Sequence, residues 1–327
     1  MFLSNLRFGV ALAGALLSTA AFADPLPSWN DVDAKSRITA FVESVTDPQG
    51  DSYVTPGDRV AVFDNDGTLW AEQPAYFQLF FAMDRVSQLA EADPSILTSD
   101  VLKAAAAGDL KGVFADGEKG LLEVINLSHS GMSVDAFISD VQGWLDTARH
   151  PETGMAFDQM IYQPMLELLS YLRDEGFETY IVSGGGVHFI RAFAETAYNI
   201  PPEQVIGSAT KTSYQIVDGV PLVVKEPGIA FVDDKAGKPV GIDSKIGKRP
   251  IFVSGNSDGD FQMLEWATAG EGPRFGLIVH HTDSAREYAY DRDSHIGQLA
   301  RGLDEGPERG WLIVDMARDW ARIWPAE

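Results

Sequence analysis

An α/β fold on a parallel sheet, with a helical insertion after its first strand, is the class the sequence predicts. Three observations carry that expectation. First, four continuous apolar runs of strand length stand out: "VAVFD" (60–64), "TYIVS" (179–183), "PIFVS" (250–254) and "FGLIVH" (275–280). Helical patterns lie between them, and strands that are apolar on both faces belong to parallel sheets covered by helices on either side. Second, residues 65–178 separate the first two runs and carry helical periodicity, which a plain loop of that length would lack. Third, the first three runs end in Asp64, Ser183 and Ser254. Ligands of open parallel sheets bind at the carboxyl ends of the strands, so these polar ends are expected to converge on one site.

Along the chain, "MFLSNLR", the apolar "FGVALAGALLSTA" and the small residues of "AFA" read as a secretory signal cleaved after about Ala23. The apolar run is too short to span a bilayer comfortably, and no longer one follows. The expected product is periplasmic or secreted, with no membrane association once the signal is removed. There is no cysteine, hence no disulfide framework. The chain has 327 residues, 45% of them hydrophobic, enough for a sizeable core, and a formal net charge of −23. Losing Arg7 with the signal makes the remainder one unit more negative. Such a surface repels nucleic acid and anionic membranes and excludes both as partners.

After the signal, "WNDVDAKSRITAFVESVTD" reads as an amphipathic helix with Ile38, Phe41, Val42 and Val45 on one side, and "PQGDSYVTPGD" as a loop. Residues 75–158 are read as a helical cap inserted into a core formed by 24–74 and 159–327. "QPMLELLSYLRDEGF" returns to the core as a helix ending near Gly176. The Asp-Gly in "YQIVDGVPLVVK" predicts a β-hairpin. "RGWLIVDMARDWARIW" reads as a strand and a closing helix whose tryptophans are core.

The chemistry starts at "VAVFDNDGTLW" (60–70). Two carboxylates one residue apart at the end of a buried strand repel each other unless a metal ion or a shared proton offsets them. "FDNDGTLW" resembles the first signature of the haloacid dehalogenase-like (HAD) hydrolase superfamily. "IVSGGG" is similar to its second signature and "GNSDGDFQM" to its acidic fourth. The helical insertion and "SGGG" look most like the phosphoserine-phosphatase-like branch. The resemblance implies a Rossmann-like core with a helical C1-type cap over the strand ends.

It also implies roles. Asp64 is the nucleophile that takes the phosphoryl group, and Asp66 protonates the leaving oxygen and then activates water. Mg²⁺ is held by the Asp64 carboxylate and the Asp66 main-chain carbonyl. Dehalogenases lack an acid at the second position, so Asp66 favours phosphoryl transfer. Ser183 and the N–H of Gly184 bind phosphoryl oxygens, and the glycines open the helix "VHFIRAFAETA". The phosphate-binding lysine is Lys238 or Lys235, with Lys245 and Lys211 as further candidates. The fourth signature departs from the family: Asn256 stands where Asp is usual, giving an uncharged metal ligand. Asp260 supports the metal or its waters, and Asp258 is an added ligand or outer-shell group. Adjacent strand residues face opposite ways, so His280 and His281 are not expected to share a zinc ion; one sits at the site rim and one is packed. His188 is read as structural and Glu72 as solvated surface.

The expected activity is that of an exported Mg²⁺-dependent phosphatase of small phosphorylated metabolites, of acid-phosphatase or phosphoserine/phosphocholine-phosphatase type. A phosphotransferase or mutase on the same scaffold, and a non-catalytic periplasmic phosphate-ester binding protein, are the alternatives. The sequence does not set the oligomeric state.

Overall fold

The computed structural model describes residues 24–325. The expected signal and its cleavage point at Ala23 lie outside the described residues. Helix α1 (Asp33–Thr46) buries Ala34, Ile38, Val42 and Val45 and leads into strand β1 (Val60–Phe63). The insertion then supplies α2 (Phe77–Ala92), α3 (Asp100–Ala106), α4 (Leu110–Phe114), α5 (Gly117–His129) and α6 (Val134–Thr147). Next come α7 (Gln163–Asp174), β2 (Glu178–Gly186), α8 (Val187–Arg191) and α9 (Ala194–Tyr198). A hairpin follows, β3 (Val205–Val217) and β4 (Val220–Phe231), then α10 (Gly237–Ile246), β5 (Phe252–Gly255) and α11 (Phe261–Thr268). The chain closes with β6 (Phe275–Thr282), β7 (Ala289–Tyr290), α12 (Arg301–Glu305), β8 (Leu312–Asp315) and α13 (Met316–Asp319).

The strands form one sheet in the order β4-β3-β2-β1-β5-β6-β7, with β8 also on β6. All neighbours from β3 through β8 are parallel except the short β7, which folds back antiparallel on β6. The four apolar runs became β1, β2, β5 and β6, as their continuous hydrophobicity predicts. The alternation of the strand decides which core each residue joins. Ala61 and Phe63 of β1 point into a cluster shared with α1 and α7, and Val60 and Val62 into one shared with α10 and α11. Burial on both faces is why these strands show no polar alternation.

Within the insertion, α2 to α5 enclose an apolar cluster of their own that includes Leu79, Met83, Leu102 and Val124. Phe137, Val141 and Trp144 of α6 instead join the main cluster. The insertion is tied to the hairpin by backbone hydrogen bonds: Lys225 N–H to Met132 O (2.8 Å) and Gly131 N–H to Lys225 O (2.9 Å).

Two local expectations are corrected. The helix expected over "VHFIRAFAETA" is two short helices, and β2 runs through all three glycines before α8 begins. The hairpin is longer than its sequence signal. Its turn is Asp218-Gly219, both with positive φ (51° and 81°), the backbone that a two-residue hairpin of matching twist requires.

Candidate active site

Strand register brings the polar ends together. Phe63 pairs with Ile181 on one side and Ser254 on the other, so the residues just beyond them are level. The Asp64 N–H donates to the Ser254 carbonyl at 2.9 Å, and the Asp64 side chain is buried. The first turn of α10 points Lys238 at it. The Lys238 ammonium, 2% exposed, donates to Asp64 Oδ1 (2.6 Å), Asp260 Oδ1 (2.6 Å) and the Val182 carbonyl (2.8 Å). All three of its protons are used. Lys235, Lys245 and Lys211 are exposed, and none bonds to Asp64.

Asp66 lies beside this pair. Its Oδ1 accepts from Trp70 Nε1 (2.8 Å), and Ser183 Oγ lies 3.5 Å from its Oδ2. Gly185 N–H donates to Ser183 Oγ at 3.0 Å. Gly184 lines the same cavity as Asp64 and Asp66. Gly67 turns the chain with φ +74°, and a β-carbon there would fall 2.0 Å from Asn256 Nδ2, so the turn excludes any side chain.

Asn256, buried, is fixed by two contacts. Its Nδ2 donates to Glu72 Oε1 (2.7 Å), and its Oδ1 accepts from Thr68 Oγ1 (3.1 Å). This corrects the reading of Glu72. Instead of solvated surface it is 2% exposed, and its Oε1 also accepts from Tyr290 O–H at 2.8 Å. Asp260 is fully engaged: Oδ1 on Lys238, Oδ2 accepting from the N–H of Asn256 (3.0 Å) and Ser257 (3.1 Å). Its support for a metal would act through the lysine and the Asn256 backbone. Asp258 is also corrected. It faces away from the site, accepting from the N–H of Ala300, Arg301 and Gly302 at the start of α12.

The two histidines diverge as alternation requires. His281 is buried, stacks on Tyr290 (4.3 Å between ring centres) and donates from Nε2 to the Gly67 carbonyl at 2.7 Å. His280 is half-buried and pairs with Asp291 at 3.3 Å. The packed imidazole is therefore the one that braces the site.

Burial dominates the electrostatics. It pushes Asp66 above the usual carboxylate range and Glu72 well above it. Asp64 is also pushed well above, by burial and then by Asp260, with Lys238 opposing them. Lys238 stays charged: burial works against it, but Asp260 and Asp64 outweigh burial and raise its pKa. Asp64 and Asp260 thus share one lysine. Among the described residues no cluster of three His, Cys, Asp or Glu side chains is arranged to hold a metal. The donor set does suit a hard cation, because the Asp64 carboxylate, the Asp66 carbonyl and the Asn256 amide are all oxygen donors. The uncompensated negative charge fits a divalent ion there.

The site opens into a cavity of ≈ 470 Å³ walled by the insertion and the hairpin. Its other wall carries groups that the sequence reading missed or placed elsewhere. Lys225 of β4 is 2% exposed and donates to Thr210 Oγ1 (2.9 Å) and His188 Nδ1 (3.2 Å). His188, read as structural, lines this cavity. Gln78 of α2 accepts from Gly186 N–H at 2.7 Å and contacts His129 Nε2 at 2.9 Å. A lysine in a hairpin strand carries no sequence signal of a buried role.

Residues 61–265 match the model of the haloacid dehalogenase-like hydrolase family. Among solved structures, a functionally unknown protein from Anaerococcus prevotii DSM 20548 is similar, with a TM-score of 0.52 and 16% identity. That likeness covers 80% of this chain and 89% of the other. A phosphoserine phosphohydrolase-like protein from Francisella tularensis subsp. tularensis SCHU S4 gives a TM-score of 0.40 and 18% identity, over 76% of this chain and 98% of the other. Both likenesses concern the fold alone. No curated protein sequence matches the chain.

Proposed function

The chain belongs to the haloacid dehalogenase-like hydrolases, and from that premise we propose that it is an exported, Mg²⁺-dependent phosphatase of small phosphomonoesters. The observation that carries this reading is Asp64. It is a buried carboxylate gripped by Lys238, with Asp66 and Ser183 beside it, in the wall of a cavity of ≈ 470 Å³. A pocket of that size takes a small metabolite. The leader sequence at residues 1–23 supports export.

In the proposed reaction an Asp64 oxygen attacks phosphorus and the ester P–O bond breaks. The Asp66 carboxyl gives its proton to the departing alkoxide oxygen. Burial keeps Asp66 protonated to a higher pH than an ordinary carboxyl, which suits this role. Water then attacks phosphorus, Asp66 takes back a proton, and the phosphorus–Asp64 bond breaks to release phosphate. Lys238 holds the nucleophile in place and meets the negative charge of the phosphoryl group. Ser183 and Gly184 donate to phosphoryl oxygens. The residues that would hold Mg²⁺ are Asp64, Asp66 through its carbonyl, and Asn256, with Glu72 fixing the amide and Asp260 behind Lys238. When bound there, the ion would supply charge neutralisation at the nucleophile and the phosphoryl group.

The test is phosphate release by residues 24–327 from a panel of small phosphomonoesters, with Mg²⁺ or EDTA, for wild type and Asp64→Asn. Release lost with EDTA and in the variant is expected. Phosphate passed to an added alcohol without release would replace hydrolysis by transfer. Saturable binding with neither would replace it by a binding protein.

A further inference from the structure

The wall of the cavity made by the hairpin and the insertion carries a buried lysine that has no counter-ion among the described residues. Lys225 is buried to 2% exposure, yet forms no salt bridge with any described residue. Its two hydrogen-bond partners are neutral: the Thr210 hydroxyl at 2.9 Å and His188 Nδ1 at 3.2 Å. Its ammonium also sits 4.4 Å from the centre of the Phe137 ring on α6. Burial lowers its pKa to about 8, so it is charged at neutral pH.

The protons of this cluster can be placed. An ammonium only donates, so His188 Nδ1 accepts and Nε2 carries the ring hydrogen. Thr210 Oγ1 accepts from Lys225, which leaves its own hydrogen to give. Neither the His188 Nε2–H nor the third Lys225 N–H has an acceptor among the described residues. Lys225, His188 and Thr210 all line the cavity that holds Asp64. A buried charge without a partner is costly, and such charges are kept where something pairs with them.

We propose that Lys225, with His188 and Thr210, binds a carboxylate carried by the substrate, so that the enzyme acts on phosphomonoesters of acidic alcohols. This rests on the phosphatase reading and names its substrate class. One unpaired positive charge matches a monoanion; a second phosphate dianion would leave a negative charge unbalanced. The same wall offers no carboxylate to a cationic alcohol such as choline, which therefore does not fit it.

The experiment uses residues 24–327 and a matched pair of probes, 3-phosphoglycerate and glycerol 3-phosphate, which differ only by carboxylate against hydroxymethyl. Wild type is expected to prefer 3-phosphoglycerate by about 10- to 100-fold in kcat/KM. In Lys225→Met the loss falls on the carboxylated ester and the ratio drops to near one, while Lys225→Arg keeps a preference. Lys225→Met is also expected to melt no lower than wild type, because an apolar chain of similar length replaces an unpaired buried charge. Equal losses on both esters, or a wild type that hydrolyses both without preference, overturn the proposal. Calorimetric binding of the same two probes to Asp64→Asn separates the two readings. Binding of 3-phosphoglycerate to Asp64→Asn that is lost on adding Lys225→Met, with no hydrolysis of either ester by wild type, keeps this site and sinks the phosphatase reading. Hydrolysis of both esters without preference does the reverse.

Discussion

At one wall of the cavity a single lysine, Lys238, is gripped by the carboxyls of Asp64 and Asp260, with the buried carboxyls of Asp66 and Glu72 nearby. At the other, a single lysine, Lys225, forms no ion pair among the described residues. Both lysines are 2% exposed. Lys238 is over-supplied with negative partners and its pKa is raised; Lys225 lacks them and its pKa falls to about 8. The difference teaches what each wall is short of. The first wall is complete only with added positive charge, the second only with added negative charge. A metal-bound phosphoryl group at one and a carboxylate at the other satisfy both.

The sharpest way to break this comparison is to make the same substitution in both places. Lys238→Met leaves Asp64 and Asp260 buried without their partner and is expected to cost about 3–5 kcal/mol in urea denaturation, with phosphate release lost. Lys225→Met, by contrast, should not destabilise. Equal destabilisation of the two variants would mean that the walls do not differ as described. Next in size is Asp66→Asn, expected to lower kcat by about 10²- to 10⁴-fold for alkyl esters. The loss should be smaller for p-nitrophenyl phosphate, whose leaving group needs less protonation. A uniform loss across leaving groups would take the acid role from Asp66.

A smaller effect is expected at Glu72, which grips the amide that stands in for an aspartate. Glu72→Gln should weaken Mg²⁺ binding by about 10- to 100-fold in calorimetry, as partners of metal ligands commonly do. Adding Asn256→Asp in that background should restore part of it, since the pair is then charged again on one side. Failure of the exchange would deny the pairing of these two positions. The mildest effect is in pH. Lys225 loses its proton above about pH 8, so the preference for 3-phosphoglycerate in kcat/KM should fade as pH rises through that value. Its imidazole neighbours will not mask this. Burial holds His188 and His129 at about 4 and about 3, so both stay neutral across the range. A preference unchanged at pH 9.5 would count against Lys225 as its source.

The sequence made the first wall readable and the second opaque, for a physical reason. Asp64, Asp66, Ser183 and Asn256 each sit just past an apolar run, and a parallel sheet fixes the ends of its strands together. Lys238 was readable as one of several lysines, and only the first turn of α10 distinguished it from Lys235. Glu72 was misread because its burial depends on Tyr290, 218 positions away, on the short β7 that has no apolar run to announce it. Lys225 was missed because its burial arises where the hairpin meets the α5–α6 loop. That contact is set by Met132 and Gly131 backbone groups, which leave no trace in side-chain pattern. Asp258 was misplaced because proximity within "GNSDGD" does not fix direction, and its carboxylate turns to cap α12.

The central claim is that Asp64 carries the phosphoryl group. It is tested most directly by rapid acid quench of residues 24–327 turning over a ³²P-labelled phosphomonoester, followed by peptide mapping. The account predicts a hydroxylamine-labile label on the peptide containing Asp64, absent from Asp64→Asn. A label on any other residue, or one that persists in Asp64→Asn, would contradict it.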